Sequence, residues 1–355
     1  MAELVQRCKA VKAVFRNQNK RKFIWGMALV VVVFIVAVIA INAYMSLNLA
    51  PLSDKANAKQ VRVDIAQGDS TSEIGGTLVK AGLIRNQRFF AWYVSYRHAA
   101  GLLRSGEYLL SPAQNMQSII EDLRQGPPVV KVTIPEGFTT QQIVDLLTER
   151  HLINPTKFYD LVQNYDFNYA FLTGIPPSHA RLDGFLFPAT YDIKLGTSEK
   201  QIIELMLNRF QQELTPQIRQ AAAAKGWSIR QLVTMASLIE REAKEAQDRA
   251  IISQVFATRL HVGMPLQSCA SIEYLLGHRK PILSLEDLKI ASPYNTYLHR
   301  GLPPGPIANP GDASIQAAAF PAQTDYLYFV AKPDGYHAFA KTYSEHLVNV
   351  HKYEH

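Results

Sequence analysis

From Phe23 to Ile41 the chain is apolar at every position, nineteen residues reading FIWGMALVVVVFIVAVIAI without a charge. As a helix this run reaches roughly 28 Å, enough to cross a bilayer core. A polar stretch, 42–60, separates it from a different rhythm. Val61, Val63 and Ile65 alternate as in a half-buried strand, a Gly68 turn follows, and Ile74 and Leu78 then recur at helical spacing. The pattern returns at 130–159, with Gly68/Gly137, Ile74/Ile143, Leu78/Leu147, Leu83/Leu152 and Phe89/Phe158 as identical pairs. Each copy predicts a strand, an amphipathic helix and a second helix beginning near Asn86 or Asn154. In the first copy GEYLLS (106–111) supplies a return strand, and NMQSIIEDLRQG a helix with a Gly stop. Strand, two helices and strand makes a small unit that suits a binding module. A spacer of the same topology would read alike.

Beyond Tyr159 the pattern turns aromatic and turn-rich, with Pro188 interrupting RLDGFLFPATYDI (181–193). Residues 199–225 read as helices and TDYLYFVA as a strand. The expectation is an α+β protein: basic tail 1–22, membrane helix 23–41, linker 42–60, LysM-like repeat region 61–158, and a mixed α+β domain 159–355. The linker predicts a leash of at most roughly 65 Å.

The stretch that organises the rest is SIRQLVTMASLIEREA (228–243). Ser228 with Gln231 makes a capping box, and Leu232, Met235, Ala236 and Ile239 form a core-facing stripe. Glu242 follows Leu238 and Ile239 by four and three residues and so borders that stripe, whereas Glu240 points about 160° away. Apolar neighbours raise a carboxyl pKa, which is the design of a general acid. A solvated Glu at a frayed helix end is the alternative.

The net charge of +7 suggests nucleic acid until it is located. Residues 1–22 hold seven basic side chains against Glu3, six of the seven net charges, so the rest is nearly neutral. The basic flank precedes the apolar run, which predicts a cytoplasmic amino terminus and an exported remainder, with no nucleic-acid partner. Cys8 and Cys269 then fall on opposite sides of the membrane and predict no disulfide. Prolines and glycines crowd 293–311, where Tyr294, Asn295, Thr296 and Tyr297 bring rings, an amide and a hydroxyl together, groups suited to a carbohydrate. His337 and His346 match no familiar zinc spacing, and no metal is expected.

These motifs become recognisable together. LVTMASLIEREA, FATRLHVGMPLQS, YNTYLHRGLPPGPIANPG and AAAFPAQTDYLYFVA, in this order, resemble the endolytic murein transglycosylase family (MltG, YceG-like) over roughly 61–350. The resemblance implies a single-pass enzyme of the inner (cytoplasmic) membrane with a periplasmic catalytic domain. It implies cleavage of nascent glycan strands between N-acetylmuramic acid and N-acetylglucosamine, leaving 1,6-anhydro-muramyl ends and terminating elongation beside a peptidoglycan synthase. The second Glu of the family's Glu-x-Glu pair falls on Glu242, with Glu240, Gln267, Tyr294, Asn295, Thr296 and Tyr297 as candidate substrate contacts. Two positions depart from the pattern, Cys269 and Ala189, where the family often has an acid.

An ordinary glycosidase needs two carboxylates. A lytic transglycosylase, as the resemblance implies, finds its nucleophile in the muramyl C6 hydroxyl, so one Glu serves as acid and then base, without metal or cofactor. The rival readings are a non-catalytic tethered wall-binding protein and a muramidase-type hydrolase pairing Glu242 with Glu240 or Asp183.

Overall fold

The computed structural model describes residues 2–53, 58–280 and 282–353, with side chains from Trp25 onward. The chain is mixed α+β and separates into two compact units, 1–128 and 129–355.

The first unit opens with α1 (Ala2–Leu49), in which Trp25–Leu49 is long and apolar enough to cross a membrane. The helix therefore runs on through the first eight residues of the expected linker. Its last turns are not a leash: Met45 and Leu49 pack against the unit's core and Asn48 is buried. Arg85 donates to the carbonyls of Ala50 (2.6 Å) and Pro51 (2.8 Å), and the N–H groups of Leu52 and Ser53 donate to Pro112 O. Residues 54–57 of the expected linker lie outside the described residues.

The repeat then appears as read. Strand β1 (Val61–Ile65), helices α2 (Thr71–Lys80) and α3 (Gln87–Tyr96), strand β2 (Gly106–Leu110) and helix α4 (Met116–Gln125) close one small core around Leu78, Phe90, Tyr108 and Ile119. β1 and β2 pair antiparallel from Val61↔Leu110 to Ile65↔Gly106. Ser70 and Glu73 form a reciprocal capping box that sets the start of α2.

The second copy has β3 (Val129–Thr133), α5 (Thr140–Glu149) and α6 (Pro155–Asn164), but its return strand β4 (Thr190–Lys194) comes only after an irregular insertion. β4 pairs antiparallel with β3, from Val129↔Lys194 to Thr133↔Thr190, and α7 (Glu199–Glu213) follows as α4 followed β2. Pro188 ends the insertion just before the strand rather than breaking it. Because Ile143, Leu147 and Phe158 share a core with the helices that follow, this copy belongs to the second unit. The break between compact units thus falls at Pro128/Val129.

Helices α8 (Pro216–Ala224), α9 (Ile229–Glu242), α10 (Ala246–His261), α11 (Cys269–Leu276) and α12 (Asp312–Ala319) complete that core. The hairpin β5 (Tyr328–Ala331) and β6 (His337–Ala340) and helix α13 (Tyr343–Tyr353) come last. The capping box of α9 forms as expected, with Ser228 N–H donating to Gln231 Oε1 at 2.9 Å and Gln231 N–H returning to Ser228 Oγ at 3.2 Å. Its buried face is wider than the stripe read from sequence. Val233, Thr234, Ser237 and Leu238 are buried as well, so α9 is the central helix of the unit.

Candidate active site

The two acids of α9 leave the helix in different directions, as their spacing requires. Glu242, its last residue, turns to the start of α11. One oxygen accepts from the Ser268 hydroxyl in a short contact and from the Ala270 N–H at 3.4 Å. The residue keeps part of its surface exposed. Burial pushes its carboxyl up from the ordinary glutamate range, and the Glu273 charge adds to this. The Ser268 and Ala270 hydrogen bonds and the His337 charge pull the other way. The result is a carboxyl inclined to hold its proton, with a surface from which it can give it.

Glu240 is enclosed, with only 6% of its side chain exposed. It accepts from Ser314 Oγ (2.8 Å) and Gly311 N–H (3.1 Å) and lies 3.7 Å from the Arg249 guanidinium. These partners tie α9 to α10 and α12, so its acceptor sites are committed to the protein rather than offered to a substrate. The close approach there is steric as well: a Cβ on Gly311 would sit 2.0 Å from Glu136 Oε1.

The loop carrying Ser268 is shaped by three anchors. Arg259, buried on α10, donates to Leu266 O (2.6 Å) and Leu327 O (2.8 Å). Gln267 adopts φ +52°, a left-handed conformation uncommon for a residue with a Cβ, and its N–H donates to Thr296 O at 3.1 Å. Ser268 N–H donates to Thr296 Oγ1 at 2.9 Å, and Ser271 Oγ lies 2.9 Å from that same hydroxyl. Thr296 is therefore a buried brace, not an open contact.

Asn295 has the same fate. It is fully buried, and both its amide hydrogens go to the backbone, to Leu288 O and Ile290 O at 2.9 Å. Its oxygen accepts from Tyr297 N–H at 2.9 Å. Neither its hydrogens nor the Thr296 hydroxyl is left to meet a sugar, because an irregular loop with a buried backbone needs side chains to satisfy it. Tyr297 is half-buried with its hydroxyl 3.1 Å from Cys269 Sγ, and burial, Cys269 and the Glu242 charge all push its phenol up. Tyr294, also half-buried, lies tilted against Tyr274 with ring centroids 5.2 Å apart. Of the expected contacts, Gln267 is exposed and Tyr294 and Tyr297 partly so.

Within the same unit a cleft of about 610 Å³ runs alongside, lined by Arg241, Glu273, Tyr274, Asp183 and Tyr159 among others. Arg241 is the chain neighbour of Glu242 and binds Glu273 at 3.0 Å. Asp183 is buried on its floor, accepting from Thr140 N–H (2.8 Å) and Tyr274 Oη (3.0 Å), and burial pushes its carboxyl up. Gly184 beside it has φ +88°, and a Cβ there would lie 2.6 Å from Val233 of α9. His337 is buried in the hairpin, its N–H and Nδ1 both on Asp248 Oδ2 at 2.6 and 2.9 Å. His346 stacks on Tyr328.

A family model described as YceG-like matches residues 63–352. The chain belongs to the YceG-like family. It is 36% identical over 320 residues to a Bacillus subtilis protein named endolytic murein transglycosylase, covering 84% of this chain and 86% of that protein. A Streptococcus pneumoniae serotype 2 protein of the same name is 33% identical over 336 residues, 86% of this chain but 60% of its own length. A crystal structure of a YceG-like protein from Listeria monocytogenes aligns with a TM-score of 0.56 at 34% identity, over 82% of this chain and 98% of that one.

Two residues of this region escaped sequence reasoning. Ser268 stands inside the QSCAS motif, but a lone Ser carries no signal until its hydroxyl is placed on Glu242. Asn309 is buried, accepts from Leu186 N–H (2.9 Å) and donates to Phe138 O (2.8 Å), stitching the Pro-rich loop to the insertion. The density of Pro and Gly around it marks an irregular segment whose backbone needs such a partner.

Proposed function

We propose that this protein is an endolytic lytic transglycosylase that cuts peptidoglycan glycan strands, with Glu242 as its single acid and base. The observation that carries the reading is the Glu242 carboxyl, half-buried at the end of α9, pushed up by burial, and steadied by Ser268 and Ala270, in a chain whose relatives bear that name.

In this mechanism protonated Glu242 donates to the glycosidic oxygen leaving with N-acetylglucosamine, and the bond from that oxygen to C1 of N-acetylmuramic acid breaks. The C6 hydroxyl of the same muramyl residue then bonds to C1 and returns its proton to Glu242. The product is a 1,6-anhydro end and no water is consumed. Ser268 and the Ala270 N–H stabilise the carboxylate between the two transfers, since hydrogen bonds to the charged form favour it. Gln267 and Tyr297 flank the reacting sugar.

The apolar helix holds this chemistry at the membrane, with the basic flank inside and the folded units outside. Strands within reach are those being made, which suits termination of elongation beside a synthase. The LysM-like reading of the first repeat copy, a glycan-holding role, is supported by its strand–helix–helix–strand order alone. Mass spectrometry of digested glycan strands tests the reaction: products should be lighter by one water than those of a muramidase. Reducing ends in place of anhydro ends would replace the single-acid scheme with a hydrolytic one.

A further inference from the structure

The outer end of α1 and one face of α3 form a surface that the reaction does not use. Arg88, Trp92 and Tyr96 recur every four residues and so share a face of α3. Trp92 is 48% exposed and Tyr96 64%, their rings stacked at 5.5 Å. Large rings left in water are costly unless something covers them. Beside them lies an apolar groove of about 530 Å³, walled by Ile41, Tyr44 and Met45 of α1 and by Phe89 and Trp92 of α3, with Arg88 among its lining residues. Tyr44 meets Phe89 edge-to-face at 5.6 Å, joining the two walls.

The level of this surface follows from the helix. Trp25–Leu49 spans about 37 Å at 1.5 Å per residue, more than the roughly 30 Å of a hydrocarbon core. The excess is about one and a half turns, and the structure accounts for it at the outer end, where Met45, Asn48 and Leu49 are taken up by the first unit. The bilayer boundary then falls near Ile41–Tyr44, the level of the groove. That is where tyrosine and tryptophan rings collect in membrane proteins and where an arginine meets lipid phosphate.

We propose that this face of the first unit is seated in the outer headgroup layer of the membrane, with Trp92 and Tyr96 among the upper acyl chains, Arg88 on lipid phosphate and an acyl chain in the groove. The occupant is phospholipid, because the groove is continuous with the apolar span and carries a cation at the matching depth. The proposal rests on α1 as a membrane span and is independent of the cleavage chemistry.

The test uses the full-length chain in nanodiscs of phosphatidylethanolamine and phosphatidylglycerol, with Trp25→Phe and Trp227→Phe leaving Trp92 as the fluorophore. Lipids carrying a nitroxide near the headgroup should quench Trp92 more than lipids carrying it near the chain end, and its emission should lie blue of water-exposed tryptophan. A Trp25-only chain reports the span separately. If Trp25 is unquenched, the span itself is wrong. If Trp25 responds and Trp92 ignores both quenchers, the seating is wrong, whether the patch is then open to water or covered by another protein chain. Should the double variant misfold, the loss of shallow quenching between the native chain and Trp92→Phe gives the same answer.

Discussion

Glu240 and Glu242 are two residues apart in sequence, and replacing each by Gln should fail in different ways. Glu242→Gln keeps size but cannot donate a carboxylic proton. General acid–base help is worth about 10²–10⁴-fold, and with one group serving both steps the loss should reach or exceed the upper figure. Its stability should hardly move, since the amide oxygen can still accept from Ser268. Glu240→Gln acts on the fold instead. It removes the carboxylate facing Arg249, whose side chain is 13% exposed. Breaking a buried pair costs about 3–5 kcal/mol, because the surviving charge is left uncompensated. Glu136 lies close enough to sense both charges and offers partial relief, which favours about 3 kcal/mol. In a unit of this size that lowers the melting temperature by roughly 6–12 °C.

The assay is paired: melting of the full-length chain in detergent, and turnover of glycan strands per folded molecule at a temperature where both variants are folded. The expected pattern is a native melting curve with almost no turnover for Glu242→Gln, and a lowered curve with most turnover retained for Glu240→Gln. Full turnover in Glu242→Gln would refute the assignment. A Glu240→Gln chain that melts normally yet has lost its turnover would make Glu240 a reacting group and favour a two-carboxylate hydrolase.

Ser268→Ala leaves the Glu242 oxygen only the 3.4 Å Ala270 contact, so turnover should fall on the order of tenfold. Its pH–rate profile should also extend to higher pH on the alkaline side, because losing a donor to the carboxylate raises the acid further, and an unmoved profile would argue against the contact. Asp183 is raised in the folded state, so its contribution to stability is complete below the ordinary aspartate value of 3.8 and is lost as pH rises through the folded value. Asp183→Asn mimics the protonated acid, accepting from Thr140 and donating to Tyr274, and should flatten that part of the stability–pH curve. Asp183→Ala strands the Thr140 N–H and should cost about 1–3 kcal/mol at low pH, where the native acid contributes fully, read by urea unfolding.

What the sequence made legible was local. The span, the strand–helix–helix order of both copies, the return strand at 106–110 and the capping box at Ser228 all depend on neighbours within a few residues. Period and caps record such relations directly. The partners of Asn295 and Thr296 were not legible, for the opposite reason. Polar side chains in a Pro-rich loop look like ligand contacts, and only the tertiary path of the loop reveals that Leu288, Ile290, Ser268 and Ser271 already use them. Glu240 misled in the same way, since its cation Arg249 comes from the next helix and Ser314 from α12. Helix geometry separates Glu242 from Glu240, as i from i+2, but the surroundings of Glu242 at the α11 start could not be read from its own helix.

The two copies differ most in the segment that precedes the second strand. Both copies pair two strands antiparallel around two helices and send a further helix from the second strand. In the first copy the loop from α3 to β2 is short, and the copy closes on its own core. In the second, the segment from α6 to β4 is long enough to leave the copy and lie against α9, where Gly184 is the residue that lets its backbone approach Val233. That segment supplies Asp183 to the cleft floor, while Thr140 at the start of α5 supplies the N–H that holds it. The apolar faces of this copy are buried in a core shared with α9. Its shared core with α9 and its part in the cleft thus both go with the long α6–β4 segment.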